Sequence, residues 1–220
     1  MSFEYLISIP KSFYVSWRLT DFISAFRLPC VVRYNTVLHC LSGHIVLSKA
    51  VKSKLIFGIG DCSIYDKRHN RSILDIKGTV NISGAVCIGP SAKISVGHRG
   101  QLSFHGSFRN SAGVTIVCQN RIDFYERVRV GWDTLFTDTD FHETILTESN
   151  TINVSTKPIL LGNNVWVGSR CMILKGTEIA NNCIIGAGSI VTKSFLQESC
   201  LIAGNPASVR KVGVTRYFKE

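Results

Sequence analysis

A chain of 220 residues, 45% of them hydrophobic, can form one domain of moderate size or a solenoid with terminal appendages. Its 25 basic and 15 acidic residues leave a formal charge of +10, which favours an anionic partner: nucleic acid, a lipid surface or a phosphorylated small molecule. Near the N-terminus Lys11, Arg18 and Asp21 interrupt every apolar run, which excludes a signal peptide or membrane span of ordinary type and makes a cytoplasmic location the expectation.

Residues 1–30 read as an amphipathic segment. Within it, 11–28 suits one helix ending before Pro29, with Phe13, Trp17, Phe22 and Phe26 as large anchors among basic residues. Two roles compete: a cap over the first coil of a solenoid, or a peripheral contact with the inner face of an anionic membrane. From Val31 to Ile76 the pattern is weak, with alternation suggesting early strands. Sixes then become visible, at Val80, Val86 and Ala92 and, two places on, Ile82, Ile88 and Ile94. They return at Ile116, Ile122, Val128 and Thr134, partnered by Cys118, Phe124, Val130 and Phe136. Since Ala92 and Ile116 stand a whole number of sixes apart, one unbroken frame is expected, as a β-sandwich would not provide.

The frame fails over 137–157, where continuing it would put Asp140, His142 and Glu148 on the core side. This segment must leave the coil as a loop, and loops on rigid scaffolds commonly carry binding and catalytic groups. It sets His142 beside Asp138 and Asp140; an imidazole can take up a proton near neutral pH, and a carboxylate can orient it. From 159 to 193 the sixes are strict. Ile159, Val165, Cys171, Thr177, Cys183 and Ser189 hold one position, and Leu161, Val167, Ile173, Ile179, Ile185 and Val191 the other. An even period keeps both on one face of an extended chain, and the intervening Gly and Asn residues turn corners easily. Short strands at a fixed period imply a solenoid whose coils bury a common core by stacking, here over 31–207, with 208–220 left as a tail.

Eight cysteines occur without a Cys-x-x-Cys pair, and Cys171 and Cys183 fall in the inward slot, so they read as core thiols. His39, His44, His69, His98 and His105 show no ligand spacing, and no metal is expected. Three Asn-x-Ser sequons are read as chance matches, and no nucleic-acid-binding module is visible.

The strict sixes resemble the hexapeptide-repeat acyltransferases, which implies an all-β solenoid, a left-handed parallel β-helix. The succession Asp138-Thr-Asp-Phe-His142, Lys157-Pro-Ile, Gly162-Asn-Asn-Val-Trp-Val-Gly168, Gly186-Ala-Gly-Ser-Ile-Val-Thr-Lys193 and Ala203-Gly-Asn-Pro-Ala207 resembles the maltose, galactoside and capsular-polysaccharide O-acetyltransferase branch. That resemblance implies His142 as general base, supported by Asp138 and Asp140, and transfer from acetyl-CoA without an acyl-enzyme. It further implies cofactor contacts at Ser169, Ala187, Thr192, Lys193, Arg210 and Lys211, and acceptor contacts at Asn110 and Trp166. Ser208 stands where relatives usually carry a basic residue. A homotrimer with sites between subunits and a saccharide acceptor are also implied. An N-acetyltransferase acting on an amino-sugar nucleotide, or a non-catalytic scaffold, are the alternatives.

Overall fold

The computed structural model describes residues 3–217 apart from Asp61 and Lys67. Three parallel sheets wrap around one core. Sheet A begins at Cys30–Val32, sheet B at Val37–Leu41 and sheet C at His44–Leu47, and successive turns of the chain add strands to them in that order until the last turns, which lack a sheet C strand. Core positions alternate with outward ones, as Lys93–Val96 and Thr115–Cys118 illustrate. Every member of the two inward series between 159 and 191 is buried.

The corners explain why the C-terminal sixes are so legible. Asn164, Arg170, Gly176, Asn182 and Gly188, six apart, all have positive φ of 57–77°. Glycine and asparagine adopt that conformation at little cost, and Arg170 pays roughly 1 kcal/mol for it. Side-chain amides brace the corner between sheets C and A: Asn181 Oδ1 accepts the Asn163 amide at 2.8 Å, and Asn182 Oδ1 accepts from Asn164 Nδ2 at 3.0 Å.

The coils differ in girth. Val167 pairs with Ile185, 18 positions on, whereas Phe108 pairs with Val128, 20 on, and Val80 with Leu102, 22 on. The unbroken frame expected between Ala92 and Ile116 is therefore corrected: Ile116 pairs with Ile94, and its spacing from Ala92 as a multiple of six is coincidental. A longer perimeter encloses more space, and close packing demands that it be filled. Phe104, Phe108, Phe124 and Phe136 do this, with ring centroids 4.8–5.3 Å apart, while valine, isoleucine, cysteine and threonine suffice in the narrow coils.

Two segments leave the coil. Residues 58–72 separate Lys54–Phe57 from Ile73–Ile76, an excursion hidden in the weak N-terminal pattern. The second is the expected loop after Thr137; it forms an exposed antiparallel hairpin, Thr144–Leu146 with Thr151–Asn153. At the C-terminal end, Ala207–Val212 folds back antiparallel on Cys200–Gly204. The tail expected from 208 thus starts inside a strand, because the last parallel edge is closed by a hairpin.

The N-terminal segment is three helices, α1 (Phe3–Ile7), α2 (Ile9–Leu19) and α3 (Phe22–Ala25), rather than one over 11–28. Asp21 stops the long helix because its carboxylate caps α3, accepting the Ser24 amide at 2.8 Å. Three of the four expected anchors do not face the solenoid, and Phe13 is half-buried. Ser8, Ser12, Val15, Ser16 and Leu19 are buried, while Trp17, Phe22 and Phe26 are exposed. Serines at four-residue spacing rise 6.0 Å per step, close to the ~6.6 Å between alternate residues of a strand. Accordingly Ser8, Ser12 and Ser16 accept the amides of Tyr34, Val32 and Cys30 at 3.0–3.2 Å, and α2 serves the first strand as a neighbouring strand would.

Candidate active site

Sheet B separates two rows of corners that carry most of the sequence-selected residues. Along the corner between sheets A and B, the coils approach so closely that only glycine fits. A Cβ on Gly131 would lie 2.6 Å from the Ser169 amide nitrogen, and one on Gly168 would lie 2.6 Å from that of Ala187. Ser169, Ala187 and Gly188 consequently form one stacked edge, with the Gly188 amide donating to the Ser169 carbonyl at 2.9 Å. Ala187 and Gly188 are exposed, and the space beside Gly188 is open. Small side chains and accessible backbone leave room for an extended ligand there.

The opposite corner, between sheets B and C, carries Thr192 and Lys193 just beyond the strand Ile190–Val191. Lys193 is exposed, its Nζ 5.7 Å from the Phe195 ring centroid. Lys175 stands 18 positions earlier, one coil away, and below it the loop carrying His142 leaves the strand Leu135–Thr137.

The loop's two acids do not orient the histidine. Asp138 is fully buried, and its oxygens accept the amides of Gln119 and Asn120 at 2.7 Å each. Its carbonyl also accepts the Lys157 amide at 3.0 Å, so this one residue pins both ends of the excursion to the coil. Asp140 pairs instead with Lys175, at 2.6 Å, and the same ammonium donates to the Val154 carbonyl at 2.6 Å. Neither acid therefore bonds to His142; both tie the loop to the coil. His142 itself is exposed, with no hydrogen bond or ion pair to any described residue. Lys175, mostly buried at the loop's root, was not singled out from sequence. Its position three sixes before Lys193 was the available signal.

Trp166 lies exposed on the outer face of sheet A, paired in register with Arg129 and Ile184. Asn110 is buried at the end of its strand, in the ladder position that Val130 and Val167 hold in later coils. Its Nδ2 donates to the Gly131 carbonyl at 3.0 Å and also reaches those of Ala112 and Val130, which ties it to its own corner. Its Oδ1 is buried without a partner. A cleft of about 1000 Å³ opens beside it, lined by Tyr5, Ile64, Cys87, Arg109 and Trp132 and lying below the Ser169 corner. In the C-terminal hairpin, Arg210 Nε donates to the Ala203 carbonyl at 2.9 Å, and Lys211 is exposed.

All eight cysteines are free thiols. Burial pushes Cys171 and Cys183 above the ordinary thiol range and Cys30 up to about 12, as inert core groups require. Among the described residues no cluster of three His, Cys, Asp or Glu side chains is placed to hold a metal.

Residues 158–193 match the family described as bacterial transferase hexapeptide (six repeats). Galactoside O-acetyltransferase of Escherichia coli (strain K12) is 50% identical over 67 residues, 29% of this chain and 32% of that protein. Chloramphenicol acetyltransferase of Klebsiella aerogenes is 40% identical over 48 residues, 22% of each. The matched stretches thus span a third or less of these relatives' own length. Among solved structures, a galactoside acetyltransferase in complex with coenzyme A is 27% identical, covering 62% of this chain and 70% of that one, with a TM-score of 0.47. With its stacked parallel coils and the six-repeat match over its strictest segment, the chain is a parallel β-helix that carries the bacterial transferase hexapeptide repeat over 158–193.

Proposed function

We propose that this protein transfers an acetyl group from acetyl-CoA to a saccharide hydroxyl, in building a capsule- or O-antigen-type polysaccharide. It would work as a homotrimer whose sites lie between subunits. The carrying observation is the layout around sheet B: an exposed histidine on a braced loop at one corner, and a small-residue, open-backbone edge at the other. The likeness to galactoside O-acetyltransferase supports the same reading.

In this reading the thioester lies along the Ser169–Ala187 edge, with Thr192 beside it and Lys193, Arg210 and Lys211 attracting the phosphates of the CoA moiety. The acceptor occupies the cleft below that edge, near Asn110 and with Trp166 as a wall, and His142 reaches it from the adjacent subunit. The imidazole removes the proton from the acceptor hydroxyl as its oxygen attacks the thioester carbonyl carbon. Backbone amides of the corner stabilise the oxyanion. When the tetrahedral adduct collapses, the C–S bond breaks and the imidazolium proton passes to the departing thiolate. Ester and free thiol result, and no acyl-enzyme forms.

The test is CoA thiol release by the purified chain across saccharides and amino-sugar nucleotides, with the acetylated atom located by NMR. An O-acetyl ester supports the proposal. Acetylation of amines alone would favour the N-acetyltransferase, and release that no acceptor accelerates would overturn both.

A further inference from the structure

The N-terminal helices cap the solenoid with their serine face, and their aromatic side, where α2 meets α3, stays largely open to solvent. Phe13, Tyr14, Trp17, Phe22 and Phe26 form one edge-to-face cluster, with neighbouring centroids 5.2–6.5 Å apart. The cluster lies outside the core: Phe26 is 68% exposed, and Ile23 on the same helix is 80% exposed. Contiguous apolar surface of this kind marks an interaction face.

Its border is cationic. Beside α3 a cleft of about 940 Å³ is lined by Arg27, Lys49, Lys52 and Lys54, and Arg18 is exposed on α2. Asp21 is the one carboxylate in that lining, and it is committed to the Ser24 amide. Among the described residues no helix is long and apolar enough to cross a membrane. Rings that can sit at headgroup depth, flanked by Lys and Arg that can meet lipid phosphates, are the chemistry of an interfacial contact. The formal charge of +10 acts in the same direction.

We propose that this end of the solenoid docks on an anionic phospholipid surface, with the aromatic cluster entering the interface and the cations of the adjoining cleft facing lipid phosphates. The reading is independent of the acetyl transfer proposed above. Capping and membrane contact, alternatives from sequence, are here assigned to opposite faces of one helix.

The full chain is co-sedimented with vesicles of phosphatidylcholine alone or mixed with phosphatidylglycerol. Binding is expected with the mixed vesicles, weakening as salt rises. Trp17→Ser/Phe22→Ser/Phe26→Ser should lower it at least ~tenfold while the solenoid keeps a cooperative melting transition, because the serine face of α2 and not these rings holds the first strand. Lys49→Glu/Lys52→Glu, which leaves the helices intact, should lower it as well and keeps the test valid should the triple variant misfold. Failure of the unaltered chain to bind, equal binding to neutral vesicles, or full binding by a folded triple variant would overturn the proposal. So would lipid-free, concentration-dependent association abolished by the triple variant, which would assign the face to a second copy of the chain.

Discussion

Ser12 Oγ accepts the backbone amide of Val32 at 3.0 Å, so a helix side chain takes the place of a β-strand at the edge of sheet A. Ser16 repeats the contact at Cys30, and both residues are buried. Ser12→Ala and Ser16→Ala each leave a buried strand amide unpaired, at a cost of about 1–3 kcal/mol. Alanine's better helix propensity returns only ~0.5 kcal/mol. Each variant should therefore unfold at lower denaturant, and a midpoint equal to that of the unaltered chain would show that water replaces the hydroxyl.

His142→Ala should leave the melting temperature unchanged, since the imidazole is exposed and makes no hydrogen bond or ion pair with a described residue. Turnover should fall by roughly two to four orders of magnitude, the scale for losing a general base. Near-normal turnover would remove His142 from the mechanism.

The two loop acids should separate cleanly. Asp138→Ala abandons two backbone amides at the loop's root and should cost about 1–3 kcal/mol of stability while exposing 139–156 to proteolysis. Asp140→Ala breaks a partly exposed pair with Lys175 and should cost no more than ~1 kcal/mol. Limited proteolysis and melting curves on both variants decide it; equal behaviour would contradict the anchoring role of Asp138.

Charge reversal at Lys193 or Lys211 should weaken acetyl-CoA more than its 3′-dephospho analogue, because an ammonium favours the additional phosphate. Equal losses measured by calorimetry would return both lysines to a structural role.

A thiol reagent applied to the folded protein should label Cys40, Cys62 and Cys87, which are partly accessible, and spare the five buried cysteines until unfolding. The folded pKa of Cys30 is raised, so its contribution to stability is present below the ordinary thiol pKa and is lost as pH rises from about 9 toward about 12. Mass spectrometry of the labelled chain would expose a wrong burial assignment as a fourth rapid adduct.

Legibility from sequence followed coil length. Between Ile159 and Val191 each six is one strand and one left-handed corner, so residue type alone reveals period and face. Where Val37 pairs with Ile73, 36 positions on, an excursion lies within the turn and no fixed period exists to be read. Aromatic anchors misled at α2 because bulk ordinarily marks the buried side, yet a strand edge needs hydrogen-bond acceptors, and Ser8, Ser12 and Ser16 supply them. Nearness along the chain likewise suggested that Asp138 and Asp140 serve His142. Backbone amides and a lysine 35 positions beyond Asp140 claim them instead.

The narrowing of the coils also sets an order of assembly. Strands that pair 18 positions apart meet sooner than strands separated by 35, such as Ile45 and Val80, because nearby segments collide more often and their contacts are local. The entropic difference in closing the two loops is only about 0.6 kcal/mol, so it bears on speed more than on final stability. The shortest coils lie C-terminal to the wide ones and so leave the ribosome after them. During synthesis the phenylalanine-filled coils are thus made before the narrow coils that stack on them.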